Sequence, residues 1–264
     1  HYPLRRQRQM CIRDRNITIR ITRSTITFTA PNTVIEGQTD FEQYNMKTGI
    51  AVAANLRQAL AECHILKAQS APGRLQEQAV PSQYHPVFDT ATVFVDTPLL
   101  LIPAEEFDAE TMPQLYHYAN TKHQQDDVEG TPISQINVVA AYAVGKDLRF
   151  VLTEMFRNVK FMPLLAPILV EFCRRSYGGF QEKLFCYFHD KRVDMFAFRK
   201  GRVRFCSSFE VSLTPDAAYF ILNVWQTLGM KPSDVLCLAG SITGQEALLK
   251  ELRQFIRNIR NVKI

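Results

Sequence analysis

KLFCYFHDKRVDMFAFRKGRVRFCSSFEVSLTPDAAYFILNVWQTLGMKPSDVLCLAGSITGQEALLKELRQFIRNI, residues 183–259, is the stretch that limits the fold. Residues 184–188, 193–198 and 203–209 read as short apolar strands, joined by His189-Asp190-Lys191-Arg192 and Arg199-Lys200-Gly201. The first two carry apolar residues on both faces, which predicts a sheet covered on both sides. Thr214-Pro215-Asp216 then supplies an N-cap, a proline at the first helical position and an acid in the first turn. Ala218, Ile221, Trp225 and Leu228 follow as one buried stripe, and Gly229 reads as the stop. Residues 235–239 form a short buried strand. Thr243 and Glu246 make a capping box for a last helix with Leu249, Leu252, Phe255, Ile256 and Ile259 as its core stripe. The order is βββαβα, a compact α/β unit.

A weaker version of that order runs through the N-terminal half. Ile17, Ile19 and Ile21 alternate with polar residues, and Ile26 and Phe28 alternate with Thr25, Thr27 and Thr29. With Arg23-Ser24 between them, this predicts a hairpin with one wet face. Ile50, Ala53, Leu56, Leu60 and Cys63 fall at helical spacing. Residues 67–85 are polar and carry Pro72, Gly73 and Pro81, an insertion or a mobile cover. Residues 92–95 and 99–102 form a second hairpin-like pair around Asp96-Thr97-Pro98. Residues 136–144 read as a strand, and 146–158 as a helix using Leu148, Val151, Leu152 and Met155.

Charge depends on the first 15 residues. Residues 1–15 have no helical or strand periodicity and no apolar signal-peptide core. Their run Gln-Arg-Gln-Met-Cys-Ile-Arg-Asp-Arg resembles translated sequencing-adaptor DNA, so they read as a non-native or disordered extension. A basic nucleic-acid-binding arm is the competing reading. The segment holds five Arg and one Asp, so removing its +4 from the net +5 leaves +1. That weakens the case for a polyanion-binding protein. With 46% hydrophobic and 22% charged residues, the remainder is ordinary globular material. The longest apolar run, 161–172, is too short to span a bilayer and contains Pro163 and Pro167. Apart from Cys11, Cys63, Cys173, Cys186, Cys206 and Cys237 are odd in number and lack CxxC spacing, which predicts buried free thiols in a reducing cytoplasm.

Four segments carry a resemblance. Thr97-Pro98-Leu99-Leu100-Leu101-Ile102-Pro103-Ala104-Glu105-Glu106-Phe107 resembles a landmark of an uncharacterised bacterial family, domain of unknown function 3822. The match continues through 201–209, Thr214-Pro215-Asp216-Ala217-Ala218-Tyr219-Phe220-Ile221-Leu222 and Leu236-Cys237-Leu238-Ala239-Gly240-Ser241-Ile242, covering roughly 16–262. The family is similar to actin-like ATPases. The resemblance implies an α/β fold with mixed sheets in two tandem ribonuclease-H-like lobes, 16–145 (with the insertion around 67–90) and 146–264.

The resemblance also implies where a nucleotide would sit. Actin-like ATPases hold phosphates with two hairpins, each using an Asp-x-Gly-type turn whose glycine lets backbone N–H groups approach and whose carboxylate engages the metal. Here the first hairpin offers Arg20-Ile21-Thr22-Arg23-Ser24, without acid or glycine. The second offers Phe188-His189-Asp190-Lys191-Arg192, an acid without glycine, and the adenosine-side turn Ala239-Gly240-Ser241 keeps one glycine. Ser24, Asp190 and Gly240 are thus degenerate nucleotide-site positions. The expectation is a non-catalytic, pseudo-ATPase actin-like protein that binds a protein partner, with no cofactor. An atypical Mg-ATP-binding ATPase or kinase is the alternative.

Other chemistry is thinly supplied. Ribonuclease-H nucleases need clustered carboxylates for two metals, whereas the strands carry mainly Asp194 and Glu210, read as surface or rim charges. His117 and His123 do not share a helix face, so no metal is expected. His189-Asp190 is either a proton-transfer pair or a polar turn. No P-loop, GxSxG, HExxH or GxGxxG occurs. Arg199, Lys200, Arg202 and Arg204 decorate one hairpin, and Arg253, Arg257 and Arg260 line the last helix. They read as solvated faces, or as a nucleic-acid patch if the two sets adjoin.

Overall fold

The computed structural model describes residues 16–32, 35, 37–68, 88–179, 181–199 and 201–264. Residues 1–15, the greater part of the 67–90 insertion and Lys200 lie outside them. In chain order the elements are β1 (Asn16–Ile21), β2 (Thr25–Pro31), β3 (Thr39–Asn45), α1 (Val52–Glu62), α2 (His64–Ala68), β4 (Thr90–Val95), β5 (Leu100–Pro103), α3 (Met112–Ala119), β6 (Asp127–Ile133) and β7 (Val138–Val144). There follow α4 (Lys146–Met155), β8 (Asn158–Pro163), α5 (Ala166–Ser176), β9 (Lys183–His189), β10 (Arg192–Arg199), β11 (Arg202–Glu210), α6 (Thr214–Thr227), β12 (Val235–Gly240), α7 (Gln245–Leu252) and β13 (Asn258–Asn261). They divide into two compact units.

The first unit holds the described residues up to Asp96 with 125–127 and 144–162. Its sheet has the order β3-β2-β1-β4-β8. β1 lies antiparallel to β2, with Ile19 opposite Phe28, and parallel to β4, with Ile19 opposite Val93. Period-two alternation buries Ile17, Ile19, Ile21, Ile26, Phe28, Ala91 and Val93 while the residues between them stay wetter. α1 and α4 pack on one another and bury Leu56, Ala59, Leu60, Leu148, Val151 and Leu152. Each fully buried aliphatic side chain contributes roughly 1.5–3 kcal/mol.

The second unit holds 97–124, 128–143 and 163–264. Its five-stranded sheet, β11-β10-β9-β12-β13, repeats the strand order of the first. β9 is antiparallel to β10 and parallel to β12, which is parallel to β13. Parallel neighbours need crossovers, and α6 and α7 supply them. Successive side chains feed two cores. Leu184, Cys186, Val193, Met195, Leu236 and Leu238 pack with Ile221 and Leu252. Phe185, Phe196, Phe198, Val235 and Cys237 pack on the other face with Leu169 and Phe172 of α5. The sheet is covered on both sides, as its doubly apolar strands require. A three-stranded sheet, β5-β7-β6, joins the second core through Val138 and Ala140.

Several expectations change. The predicted last helix stops at Leu252, and residues 258–261 form β13 instead. β12 offered a free edge, and pairing from Val235↔Asn258 to Leu238↔Asn261 outweighs continued helix. Spacing misled because Leu249, Leu252, Phe255 and Ile259 fit helical period across a real break; Phe255 is 64% exposed. The N-cap is Gly244 in left-handed conformation, not Thr243. On α6 the cap position is Leu213, and the Asp216 carboxylate accepts the Leu213 and Ser212 N–H groups at 3.0 and 3.3 Å. Residues 92–95 and 99–102 do not pair with each other, because β4 joins β1 and β5 joins β7. The lobe boundary at 145/146 is also displaced. α4 and β8 complete the first sheet, while 97–124 and 128–143 group with the second unit.

Candidate functional site

The β1–β2 turn closes on its own side chain. The Thr22 N–H donates to the Thr25 carbonyl at 2.9 Å. The Thr22 hydroxyl oxygen accepts the N–H of Thr25 at 3.1 Å and that of Ser24 at 3.3 Å. The Thr22 hydroxyl thereby engages two of the turn's amides, those of Ser24 and Thr25.

The β9–β10 turn is tighter. Asp190 and Lys191 occupy left-handed backbone, with φ of 42° and 58°, between the paired residues His189 and Arg192. A two-residue turn with both φ positive matches strand twist, yet each non-glycine residue there costs about 1–3 kcal/mol. A buried polar cluster lies directly behind it. Asp194 is 1% exposed and Arg192 2% exposed. One Asp194 carboxylate oxygen accepts from His189 Nε2 at 2.5 Å and Arg192 Nε at 3.2 Å, and the other accepts from the Ser208 hydroxyl. The Tyr187 ring lies 4.9 Å from the His189 ring, centroid to centroid. Burial, with the Asp194 charge, pushes the neighbouring Cys206 thiol up to about 12.

This corrects one sequence expectation, since Asp194 is no rim charge; His189-Asp190 opens the polar turn, and the Asp194 carboxylate meets the His189 ring. The signal was present in the sequence: a strand apolar on both faces leaves an interior acid nowhere to be exposed. Arg192 and Ser208 gave no such signal. Chemically, an imidazole held between a carboxylate and a guanidinium fixes the hairpin, because each buried charge has an opposite one in contact.

Gly240 ends β12 beside this turn, in register with Phe188. Its φ is 86°, and a Cβ there would collide with the Phe188 carbonyl. The Ser241 N–H donates to that carbonyl at 2.9 Å. The structure therefore brings Asp190 and Gly240 to one end of one sheet, while Ser24 belongs to the first unit.

The basic residues separate. Arg199, Arg202 and Arg204 belong to the β10–β11 hairpin, and Arg260 lies on β13 at the opposite sheet edge. Four strand spacings put those edges about 19 Å apart. Arg204 donates to Glu182 at 2.5 Å and to the Leu228 carbonyl at 2.6 Å, and Arg199 lies 3.7 Å from Glu182. Arg253 caps α7 and Arg257 sits in the following connection, so neither they nor Arg260 line a helix face together. His117 and His123 flank Tyr116 at ring distances of 6.2 and 6.4 Å. Among the described residues no group of three or more His, Cys, Asp or Glu is placed to hold a metal, and no helix is long and apolar enough to cross a membrane.

The model of the family described as Protein of unknown function (DUF3822) matches residues 81–259. The chain belongs to this DUF3822 family. A Bacteroides thetaiotaomicron protein with actin-like ATPase fold and unknown function is similar at TM-score 0.80 and 21% identity, over 95% of this chain and 92% of that one. A chain of the PilM–PilN type IV pilus biogenesis complex is similar at TM-score 0.52 and 11% identity, over 94% and 88%. No curated protein matches. At such identities the likeness speaks to fold: this DUF3822 chain has the actin-like ATPase fold, and the repeated strand order is its two ribonuclease-H-like sheets.

Proposed function

We propose that this chain is a non-catalytic member of the actin-like fold that works by binding another protein. The observation behind it is the Thr22 hydroxyl on the Ser24 and Thr25 amides. A phosphate at that turn would have to displace a bond the turn already makes. The second turn supports the same reading, since it lacks glycine and the nearby Ser241 amide is engaged by Phe188. The partner half of the reading draws on the similarly folded chain that belongs to the PilM–PilN type IV pilus biogenesis complex.

Calorimetric titration with Mg-ATP tests it. The expected result is no heat beyond dilution. Binding at micromolar affinity overturns the reading in favour of an atypical ATPase or kinase.

A further inference from the structure

We propose that the groove between β5 and β11 receives an extended segment of a partner protein, which adds to β11 as a further strand. The inference rests on the reading of this chain as a partner-binding protein and names the surface and the partner's chemistry. Within the second unit, β5 and β11 are each the last strand of their sheet, and both line one cavity of about 470 Å³. A terminal strand presents a row of backbone N–H and C=O groups without a strand partner, which is a template for another chain. β11 is the better template. It runs nine residues without proline, whereas β5 has four and ends in Pro103. The groove-lining stretch Arg202–Cys206 is about 13 Å long at strand rise, enough for about five partner residues.

The groove's chemistry restricts the occupant. Leu99, Leu101 and Val203 line it while packing only partly buried against the core beneath. A strand lying there therefore needs apolar side chains at alternate positions. Arg202 and Glu106, both exposed, line the same groove, and among the described residues neither forms an ion pair. Arg204 differs, being held by Glu182 and the Leu228 carbonyl. The complementary segment is thus extended, alternately apolar, acidic where it passes Arg202 and basic where it passes Glu106. A purely protective charge on a sheet edge would need no apolar groove beside it.

The test is selection of a random-peptide phage library on the full chain and, in parallel, on Arg202→Glu. Selected peptides are then resynthesised with a fluorophore and titrated by anisotropy. Arg202 is exposed, so the variant keeps its fold, and an unchanged melting temperature checks this. The expected outcome is an alternating apolar consensus with Asp or Glu at one position, which becomes Lys or Arg on the variant. The wild-type consensus peptide should bind Arg202→Glu at least about tenfold more weakly. No enrichment, or peptides indifferent to the charge reversal, overturns the groove. An empty selection without Mg-ATP heat removes only the groove, whereas micromolar Mg-ATP binding removes the reading beneath it.

Discussion

Arg192 and Asp194 put opposite charges into a space from which water is excluded, with His189 and Ser208 completing the carboxylate's partners. Such a pair adds little over an apolar one of the same shape, but losing one member leaves the other uncompensated. Arg192→Met should therefore cost about 3–5 kcal/mol, read from the urea midpoint. Arg192→Met with Asp194→Leu should recover most of that loss, and if the double variant is the weaker one the pairing argument fails. Glu171 gives a pH signature. Hydrogen bonds from Arg174 and Arg175 hold its carboxyl down to about 2. A depressed carboxyl favours the folded state above the ordinary carboxylate range and loses that contribution as pH falls toward 2. An NMR titration should place the Glu171 midpoint near there, returning toward the usual carboxylate range when both arginines become alanine. Residue identities such as Asp190 and Gly240 were readable in the sequence, but the partner of His189 was not. Strand alternation puts 189, 192 and 194 on one face only once the two-residue turn is known.

At the scale of elements, two glycines separate backbone strain from collision. Gly229 follows α6 at φ 64° with open space around a would-be Cβ, whereas Gly240 at φ 86° faces the Phe188 carbonyl. Gly229→Ala should cost about 1 kcal/mol, the lower end for a left-handed non-glycine residue. Gly240→Ala should cost several-fold more, because strands β9 and β12 must also separate. Thermal unfolding of the two variants decides it, and equal losses would remove the collision. The stop at Gly229 was legible because φ requirements are local. β13 was not: four residues, Asn258–Asn261, carry one aliphatic side chain, and their strand state comes from β12 rather than from their own pattern. β3 escaped for the same reason, with every residue exposed or half-buried.

For the molecule as a whole, charge placement bears on nucleic acid. With residues 1–15 removed the net charge is +1, and the two basic sets stay apart, Arg202 and Arg204 on β11 at one sheet edge and Arg260 on β13 at the other. A chain lacking 1–15 should bind a short RNA no more tightly than about 10⁻⁴ M at physiological salt, the weak end of non-specific binding. Fluorescence anisotropy across a salt series measures it, and a steep slope with micromolar affinity would restore the nucleic-acid reading. The second unit's sheet was legible because its strands 184–188 and 193–198 carry apolar residues on both faces. The three-stranded sheet was not, since β6 (Asp127–Ile133) holds Pro132, Gly130 and two acids.

That small sheet has a consequence for synthesis. Val138 and Ala140 are covered by Phe185, Phe196 and Val235, which lie roughly 50–100 residues later in the chain. At ribosomal speeds of about 5–20 residues per second, the apolar face of β7 waits on the order of 2–20 s for its cover. During that interval the nascent chain displays an unburied Val-Ala strand. The yield of folded chain should therefore respond to codon usage between β7 and β12.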